Sequence, residues 1–306
     1  MSPAQLVSLF ILTIFVKCDI LKEAFENQSQ LKARTKEIYD RIDSEGYTLD
    51  EFIKKGDFGF VFRAHKTGDE TEKYAIKITW DDESNGTGIR FPSCTKYDTQ
   101  IELAKDNPDI FAPIKNIKMP VRDLIDNTLL PRSGICMTIM PLAEQDLSTA
   151  LNFLFDAAED NAVREAKLVN FIKTIVDMNL KFNYSGYLHG DMHEGNILLV
   201  KENGKLVPKL NDFDFLNDIK QDIETQLYDG FEWYILAEKW NLSSTIPEIF
   251  KANKDLVKVS QAAEDELHEF VYTKYKKFAE DALKDVKPSF FEKLQSKDYI
   301  FDRVII

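Results

Sequence analysis

The chain has 306 residues, of which 44% are hydrophobic, 12% aromatic and 30% charged. This composition is too apolar for a disordered chain and is sufficient for the core of one or two lobes. The formal net charge of −13 argues against a nucleic-acid partner, because no broad basic surface is available to neutralise phosphates. Three cysteines and four histidines are also too few for a disulfide scaffold or a histidine-rich metal site.

The start of the chain carries an uncharged apolar run at residues 6–16. As a helix this run would rise about 16 Å, roughly half of the hydrocarbon thickness of a bilayer. With Val16 and Cys18 as the small residues before the cut, the run is typical of a secretory signal peptide cleaved before Asp19. A buried N-terminal helix is the alternative. The sequence therefore predicts a signal peptide at 1–18 and a secreted or secretory-pathway protein, with no stable membrane span after cleavage.

Such cleavage would leave two cysteines, Cys94 and Cys136. Because Cys136 lies in an apolar, strand-like run, we expect a buried free thiol and no disulfide. Four triplets fit the N-glycan acceptor pattern, and they begin at Asn27, Asn85, Asn183 and Asn241. The charged surroundings of Asn85 make it the best candidate, whereas Asn183 is expected in a packed helix.

In chain order, the first predicted element is a helix or helix pair between Leu21 and Ile42, where apolar residues recur at helical spacing. A strand-rich block follows, because aromatic and β-branched residues alternate with glycine breaks. Its predicted members are three consecutive antiparallel strands, a helix and a fourth strand, at Tyr47–Lys54, Phe60–His65, Tyr74–Trp80, Tyr97–Lys105 and Gly134–Met140.

Helices dominate the pattern after Pro141. We predict helices at Leu147–Phe155 and Val163–Asn183, a strand pair at Ile197–Val200 and Leu206–Leu210, and further helices from Asp222 onward. Strands first and helices second predict an α+β protein of two lobes. The expected organisation is a helical extension at 19–46, a first lobe at 47–141 and a second lobe at 142–306.

Two features of the first lobe point to a bound polyanion. Gly56 and Gly59 stand between the first two strands, where glycines let the backbone approach phosphate oxygens closely. Lys77 lies within an apolar strand, so its ammonium needs an anionic partner. A lysine that reaches water from an edge strand is the alternative interpretation.

The second lobe carries the stronger signal, His-Gly-Asp-Met-His-Glu-Gly-Asn at 189–196. Asp191 can take a proton from an acceptor hydroxyl, while the side-chain oxygen of Asn196 can bind a cation. Asp212, at the end of the next strand, adds the hard oxygen that Mg²⁺ prefers. Turn capping would explain any one of these residues, but not the ordered series of glycine turn, strand lysine, loop Asp and Asn, and strand-end Asp.

With these motifs, the chain from about Tyr47 to Lys284 resembles the protein kinase superfamily. The resemblance implies ATP and Mg²⁺ as cofactors, a small antiparallel sheet in the first lobe and a mainly helical second lobe. It makes Asp191 the catalytic base, Asn196 and Asp212 the metal ligands, and Lys77 the residue that holds the α- and β-phosphates. The other nucleotide-binding positions that it implies are Lys54, Gly56, Phe58, Gly59, Val61, Ala75, Glu102, Ile139, Met140 and Leu142.

Four of these positions, and one residue outside the list, carry more specific expectations. Glu102 is the best partner for Lys77, with Glu72 and Asp98 as alternatives. Ile139 is expected at the gate of the adenine pocket, and Met140 to Leu142 form the hinge. Asp222 resembles a residue that braces the catalytic loop from beneath.

Departures from the pattern bear on the substrate. The His-Gly-Asp sequence, with His193 in place of a lysine, looks like the aminoglycoside phosphotransferase and choline kinase branch, whose acceptor is a small alcohol. His193, when protonated, would neutralise the γ-phosphate and share in catalysis. Only residues 215–221 separate Asp214 from Asp222 and no Ala-Pro-Glu motif is present, which predicts a shortened activation segment.

The glycine loop and the strand lysine are nevertheless closer to ordinary protein kinases. We therefore expect a Ser/Thr protein kinase that acts on a protein substrate. A kinase for a small hydroxyl-bearing molecule and a secreted pseudokinase that binds partners are the alternatives.

Overall fold

The computed structural model describes residues 20–27, 29–56, 59–81, 94–120, 134–219 and 241–284. The chain divides into two compact units, the first formed by Met1–Asp106 and Ala112–Leu142, the second by Asn107–Phe111 and Ala143–Ile306. The first unit contains an antiparallel sheet and the second is mainly helical. The predicted α+β fold class is thereby confirmed. The predicted signal peptide lies outside the described residues.

The first unit begins with helical residues 20–24 and two short helices, α1 (Ser29–Ala33) and α2 (Thr35–Ser44). Its remaining elements are β1 (Tyr47–Lys55), β2 (Gly59–Lys66), β3 (Asp69–Asp81), α3 (Cys94–Asp106), β4 (Lys115–Pro120) and β5 (Gly134–Pro141). The five strands form one antiparallel sheet in the order β1-β2-β3-β5-β4. Sequence patterns missed β4, which lies at the edge of this sheet and contains two lysines and a proline.

The two faces of this sheet have different partners. Because side chains alternate along a strand, one face of β3 carries Ile76 and Ile78, and the opposite face carries Ala75 and Lys77. The first face packs against the helical extension in one core cluster, whose members include Leu21, Phe25, Ile38, Ile42, Phe60, Phe62, Ile76, Ile78, Met137 and Ile139. The predicted extension is therefore part of the core of the first unit.

Phe25 is the aromatic centre of this contact. Its ring is fully buried and meets the ring of Phe60 edge-on at a centroid distance of 4.8 Å, with Phe62 at 6.1 Å. Edge-to-face pairs of this kind add to the stabilisation that comes from burial alone. The extension thus stabilises β2 directly beside the glycine turn.

A disulfide joins Cys94, the first residue of α3, to Cys136 in β5. The expectation of a buried free thiol was wrong. The first turn of α3 packs on β5 and brings the two Cα atoms to 5.4 Å, which lies within the range that a disulfide bridges. This packing depends on tertiary structure, and no local sequence pattern reports it.

The second unit has a small set of strands and two long helices. In chain order its elements are β6 (Gln145–Asp146), a 3₁₀ turn (Asn152–Leu154), α4 (Asn161–Tyr184), β7 (Tyr187–Leu188), a 3₁₀ turn (Glu194–Asn196), β8 (Ile197–Glu202), β9 (Lys205–Leu210), β10 (Asn217–Asp218), helical residues 241–252 and α5 (Gln261–Lys284). β6, β8 and β9 form one sheet, and β7 pairs with β10. Residues 107–111 join this unit because Asp109 and Phe111 exchange backbone hydrogen bonds with Leu210.

The segment Leu147–Phe155 contains only the 3₁₀ turn, so the helix predicted there was wrong. Side chains hydrogen-bond to backbone N–H and C=O groups that a helix would have used. Asp146 accepts hydrogen bonds from Ser148 N at 3.1 Å and, through its backbone oxygen, from Thr149 Oγ1 at 2.9 Å. Asn253 Oδ1 accepts from Leu151 N at 2.8 Å. Such bonds compete with the helical ladder.

The long helices α4 and α5 pack together through apolar residues and one buried polar pair. Asn179 Nδ2 donates to Tyr275 Oη at 2.6 Å. One turn further along α4, Asn183 is 1% exposed, and in the amide orientation that suits its neighbours its nitrogen donates to Tyr187 O at 3.1 Å and Asn179 O at 3.2 Å. Among the described residues, no helix has both the length and the apolar character that a membrane crossing requires.

Phe25→Ala should destabilise the first unit by about 3–5 kcal/mol, because it removes a fully buried ring that the surrounding side chains cannot replace. Phe52→Ala is the matched control, since Phe52 contacts the same two rings but is 41% exposed. Phe52→Ala should lower the free energy of unfolding by about 1 kcal/mol. Urea unfolding of both variants measures the difference, and equal small losses would show that the extension does not belong to this core.

Candidate functional site

The loop between β7 and β8 is organised by the buried ring of His189. His189 Nε2 lies 2.8 Å from Asn211 O, and Asp191 N donates to His189 Nδ1 at 3.3 Å. Because Nδ1 accepts a hydrogen bond, the neutral ring carries its proton on Nε2 and donates it to Asn211 O. The ring also packs on Phe213 at a centroid distance of 4.7 Å. His189 therefore ties the backbone of Asp191 to the segment that follows β9.

Asn196 links the same two segments a second time. Its Nδ2 donates to Asp191 O at 2.9 Å and to Asp191 Oδ2 at 3.3 Å, and its backbone oxygen accepts from Asn211 N at 2.9 Å. The described residues donate no hydrogen bond to Asn196 Oδ1. This arrangement holds the Asp191 carboxylate in one orientation and leaves an amide oxygen of Asn196 for a cation.

Asp212 follows Asn211 in a strained backbone conformation. Its φ is 66°, in the left-handed region that non-glycine residues rarely adopt. Asn211 is held on one side by the two hydrogen bonds above, and Phe213 is fully buried on the other, between His189 and Phe182. Strain that the surroundings enforce in this way is common at functional sites.

The donor set fits Mg²⁺. An Asp carboxylate and an Asn amide oxygen are hard ligands, and Mg²⁺ usually takes one or two protein ligands, with water and phosphate oxygens completing its octahedron. In the described parts of the chain, no group of three or more His, Cys, Asp or Glu side chains is arranged to hold a metal ion. Asn196 and Asp212 thus have the donor atoms that Mg²⁺ prefers.

His193 lies beside Asp191 and is half-exposed. Its Nδ1 accepts from Gly195 N at 3.1 Å, so in the neutral ring the proton is on Nε2. Nε2 lies 3.8 Å from Asp191 Oδ2, an ion-pair separation when the imidazole is protonated. The ring therefore presents an N–H group near the carboxylate expected to act as the base.

Gly190 is required by close packing. Its φ is +81°, and a Cβ atom there would lie 2.3 Å from Phe215 O. That carbonyl belongs to the turn after β9 and also accepts from Asn217 Nδ2 at 2.9 Å. An arginine cannot occupy position 190 in this backbone, so the departure from His-Arg-Asp follows from the fold.

Two residues that sequence reasoning missed support the loop from the helical segment 241–252. Asn241 Nδ2 donates to Gly190 O at 3.4 Å, and Thr245 Oγ1 donates to Met192 O at 3.1 Å. Asn241 attracted attention only as a glycan acceptor, and Thr245 belongs to no motif. Asp222, the brace that the resemblance implied, lies outside the described residues.

In the first unit, Lys77 is 8% exposed and lies on the face of the sheet opposite the core cluster. Its Nζ is 5.3 Å from the centroid of the Tyr97 ring on α3. Lys77 stands directly across from Val61 in β2 and Thr138 in β5. Lys77 is therefore a buried cation on the central strand.

The expectation that Glu102 partners Lys77 was wrong. The Glu102 side chain is 68% exposed and pairs with Lys105 at 2.6 Å. The buried residues of α3 are Cys94, Tyr97 and Gln100, and five positions along a helix turn Glu102 about 140° away from Tyr97. The two alternatives also have other partners, since Asp98 accepts from Asn116 at 2.8 Å and Glu72 accepts from Lys66 and Tyr74.

The positions expected to contact adenine divide between the two faces of the sheet. Val61, Ala75 and Met140 occupy the face of Lys77, as their strand register requires. Ile139 stands across from Ile76 and is fully buried in the opposite core, so its assignment to the gate was wrong. Thr138, the cross-strand neighbour of Lys77, lies on the face where a gate residue would be.

The glycine turn is described at its two ends. Gly56 N donates to Gly59 O at 2.8 Å, and Lys54 stands across from Val61. Phe58 lies outside the described residues. A Cβ on Gly59 would lie 2.7 Å from Ile78 O, so this glycine is also needed for the contact between β2 and β3. Leu142 follows the last residue of β5 and donates its N–H to Lys73 O at 3.3 Å.

No protein-family model matches the chain. No curated protein matches it either. Among solved structures, the chain is similar to the Cydia pomonella granulovirus kinase PK-1, with a TM-score of 0.46 and 16% sequence identity over 78% of this chain and 91% of that one. The functional interpretation below therefore rests on the side chains of this chain itself.

Gly190→Ala should cost more stability than Gly204→Ala. Both glycines have left-handed φ values, +81° and +79°, but only a Cβ at position 190 meets another atom within 4 Å. Each variant should lose about 1–2 kcal/mol from the backbone conformation, and Gly190→Ala about 1–3 kcal/mol more from the clash. Urea unfolding compares them, and equal losses would contradict the close packing at position 190.

Proposed function

We propose that the protein is an ATP-dependent phosphotransferase that moves the γ-phosphoryl group to a hydroxyl. The observation that carries this proposal is the hydrogen-bonded framework of the second unit. Asn196 and His189 tie the Asp191 loop to Asn211, the residue before Asp212. Asp191 and Asn196 are thereby held by one set of short contacts that reaches the residue before Asp212, and such positioning is what catalysis of phosphoryl transfer requires.

Each residue has a defined role in this proposal. Asp191 orients the acceptor hydroxyl and takes its proton, because Asn196 Nδ2 holds one of its carboxylate oxygens in place. Asn196 Oδ1 and the Asp212 carboxylate would hold Mg²⁺, which when bound neutralises charge on the phosphates. Lys77 would hold the α- and β-phosphates, and the turn that begins at Gly56 and ends at Gly59 would help to fix the phosphates.

His193 adds an N–H donor near the reacting atoms. Its Nε2–H lies on the Asp191 side of the ring, since Nδ1 is occupied by Gly195 N. In this proposal the N–H stabilises charge that develops on the transferred phosphoryl group, which is the usual task of fixed donors in such sites. His193 thus does the work that a lysine does at this place in the family that the chain resembles.

A serine or threonine hydroxyl of a protein is the acceptor that we propose first, with a shortened activation segment. Its support is the combination of glycine turn and strand lysine, which is closer to ordinary protein kinases. A small alcohol is the second candidate, and Gly190 and His193 favour it. A secreted pseudokinase that binds partners without catalysis is the third candidate. The presence of all four polar residues of the expected site, Lys77, Asp191, Asn196 and Asp212, favours an active enzyme over it.

Asp191→Asn should abolish most phosphotransfer while leaving nucleotide binding intact. Without the carboxylate, turnover should fall by about 10²–10⁴, because the acceptor proton has no base. The shift of the thermal midpoint by Mg-ATP should persist, because Asp191 is not a metal ligand in this proposal. The assay uses labelled ATP with mixed protein substrates and with a panel of small alcohols.

Asp255→Asn is the matched control, since it removes one charge from an exposed position of the same unit. Asp212→Asn should instead remove the Mg-dependent part of the thermal shift. A wild-type protein that binds Mg-ATP and labels no acceptor would be the pseudokinase. A protein that neither binds Mg-ATP nor labels an acceptor would refute both enzyme proposals.

We also propose that the chain is secreted or resides in the lumen of the secretory pathway. Two observations support this: the apolar run at 6–16 and the disulfide between Cys94 and Cys136. Disulfides persist in oxidising compartments and are rare in the cytosol. The number of cysteines is consistent with both observations, because cleavage before Asp19 would remove Cys18 and leave the two cysteines of the disulfide.

The protein recovered from a secreting host should begin at Asp19 and contain no free thiol. Alkylation of the denatured, unreduced chain followed by mass spectrometry should add no label, and reduction should expose two sites. A chain that keeps Cys18 and takes up one label without reduction would show that the leader is not removed.

A further inference from the structure

The ring of Tyr97 covers the buried ammonium of Lys77. The distance from Lys77 Nζ to the ring centroid is 5.3 Å, and Tyr97 is 2% exposed. A cation within about 6 Å of an aromatic face is attracted by the ring, and the attraction is larger where water is excluded. Tyr97 therefore both shields Lys77 from solvent and restricts where its ammonium lies.

Tyr97 is held in place through the first turn of α3, which has three separate attachments to the sheet. The disulfide binds Cys94 to β5. Cys94 N donates to Asp81 Oδ1 at 3.0 Å, at the end of β3, and Asp98 accepts from Asn116 on β4 at 2.8 Å. Cys94, Tyr97 and Cys136 form one buried cluster. The covalent bond is thus one helical turn from the ring that contacts Lys77.

The disulfide also acts on the strand opposite Lys77. Cys136 is two residues from Thr138, the cross-strand neighbour of Lys77, and both lie on the same face of β5. The bond therefore joins the two elements that flank the ammonium, the helix above it and the strand beside it. A shift of either element would move the position of Lys77 Nζ.

We propose that Tyr97 is a positioning residue for Lys77 and that the Cys94–Cys136 disulfide holds it there. This inference rests on the proposed function, because it concerns how Lys77 meets the phosphates of a nucleotide. Tyr97 adds no negative charge of its own, so it orients the ammonium without competing with the phosphates. Glu102, turned to solvent and paired with Lys105, has no part in this task.

Tyr97→Leu and Tyr97→Phe separate the contribution of the ring from that of packing. Leucine fills much of the space but has no aromatic face, so the dissociation constant for Mg-ATP should rise about five- to thirtyfold. Phenylalanine keeps the face and should change the constant less than about twofold. Isothermal titration measures both, and circular dichroism checks that each variant is folded.

A second readout needs no nucleotide. The rate at which acetic anhydride acetylates Lys77 is followed by mass spectrometry, with the exposed Lys205 as internal reference. Tyr97→Leu should speed this reaction several-fold relative to Lys205, and Tyr97→Phe should leave it unchanged. The double variant Cys94→Ala, Cys136→Ala should speed it as well and weaken Mg-ATP binding, by no more than Tyr97→Leu does.

The outcomes distinguish this inference from the proposed function. If the wild-type protein fails to bind Mg-ATP, the proposed function is refuted, and the acetylation rates still decide whether Tyr97 positions Lys77. If the wild type binds but Tyr97→Leu binds equally well and is acetylated at the same rate, the positioning role is refuted alone. The positioning role of Tyr97 would also be refuted if Glu102→Gln weakened Mg-ATP binding as much as Tyr97→Leu, because the Glu102 carboxylate would then be the partner of Lys77.

Discussion

A lysine ammonium buried in the central strand of a five-stranded sheet is the constraint on which the first unit depends. An ionised amine in such a place is costly unless polar or aromatic groups contact it, so the elements that pack around Lys77 must supply such groups. The pleat of β3 directs Ile76 and Ile78 to one core and Lys77 to the other face. The helical extension fills the first core, and α3, fastened to β5, covers the second face. Lys77 and the apolar core thus lie on opposite faces of the same sheet, and a different helical segment packs on each face.

In the second unit, neutral groups join the two segments that carry the charged residues Asp191 and Asp212. The loop that carries Asp191 and the turn that carries Asp212 both hold carboxylates, which repel one another. The groups that join these segments are an amide, an imidazole and backbone N–H and C=O groups, with Asn196, His189 and Asn211 as the participants. Preorganised dipoles of this kind hold charged side chains without neutralising them. In the proposed function, the Asp191 carboxylate therefore keeps its charge for the proton of the acceptor hydroxyl.

The sequence predicted an element well where its pattern showed which face each residue occupies, and poorly where it did not. Alternation and glycine breaks located β1 to β3 closely, and the spacing of Asp191, Asn196 and Asp212 identified the loop framework. In β5, residues 134–140 are all buried, so alternation could not tell Ile139 from Thr138, and the wrong neighbour was chosen. In α3, charged residues occur on several sides, so the pattern did not show that Tyr97 is the residue that faces Lys77. Asn241 and Thr245 support a loop about 50 positions away, and no local pattern reports such contacts.

The buried amide of Asn183 has a consequence for export. Asn183-Tyr184-Ser185 is a triplet that an oligosaccharyltransferase would accept in an unfolded chain, yet in the folded protein this side chain lies inside the second unit and bonds to Tyr187 and Asn179. A sugar attached there would prevent α4 from closing on the strand that follows it. Asn27, by contrast, is open to solvent. If the chain enters the secretory pathway, α4 must therefore become buried before a sugar is attached to Asn183. At Asn27 a sugar can be attached before or after folding, because this residue is exposed in the folded protein.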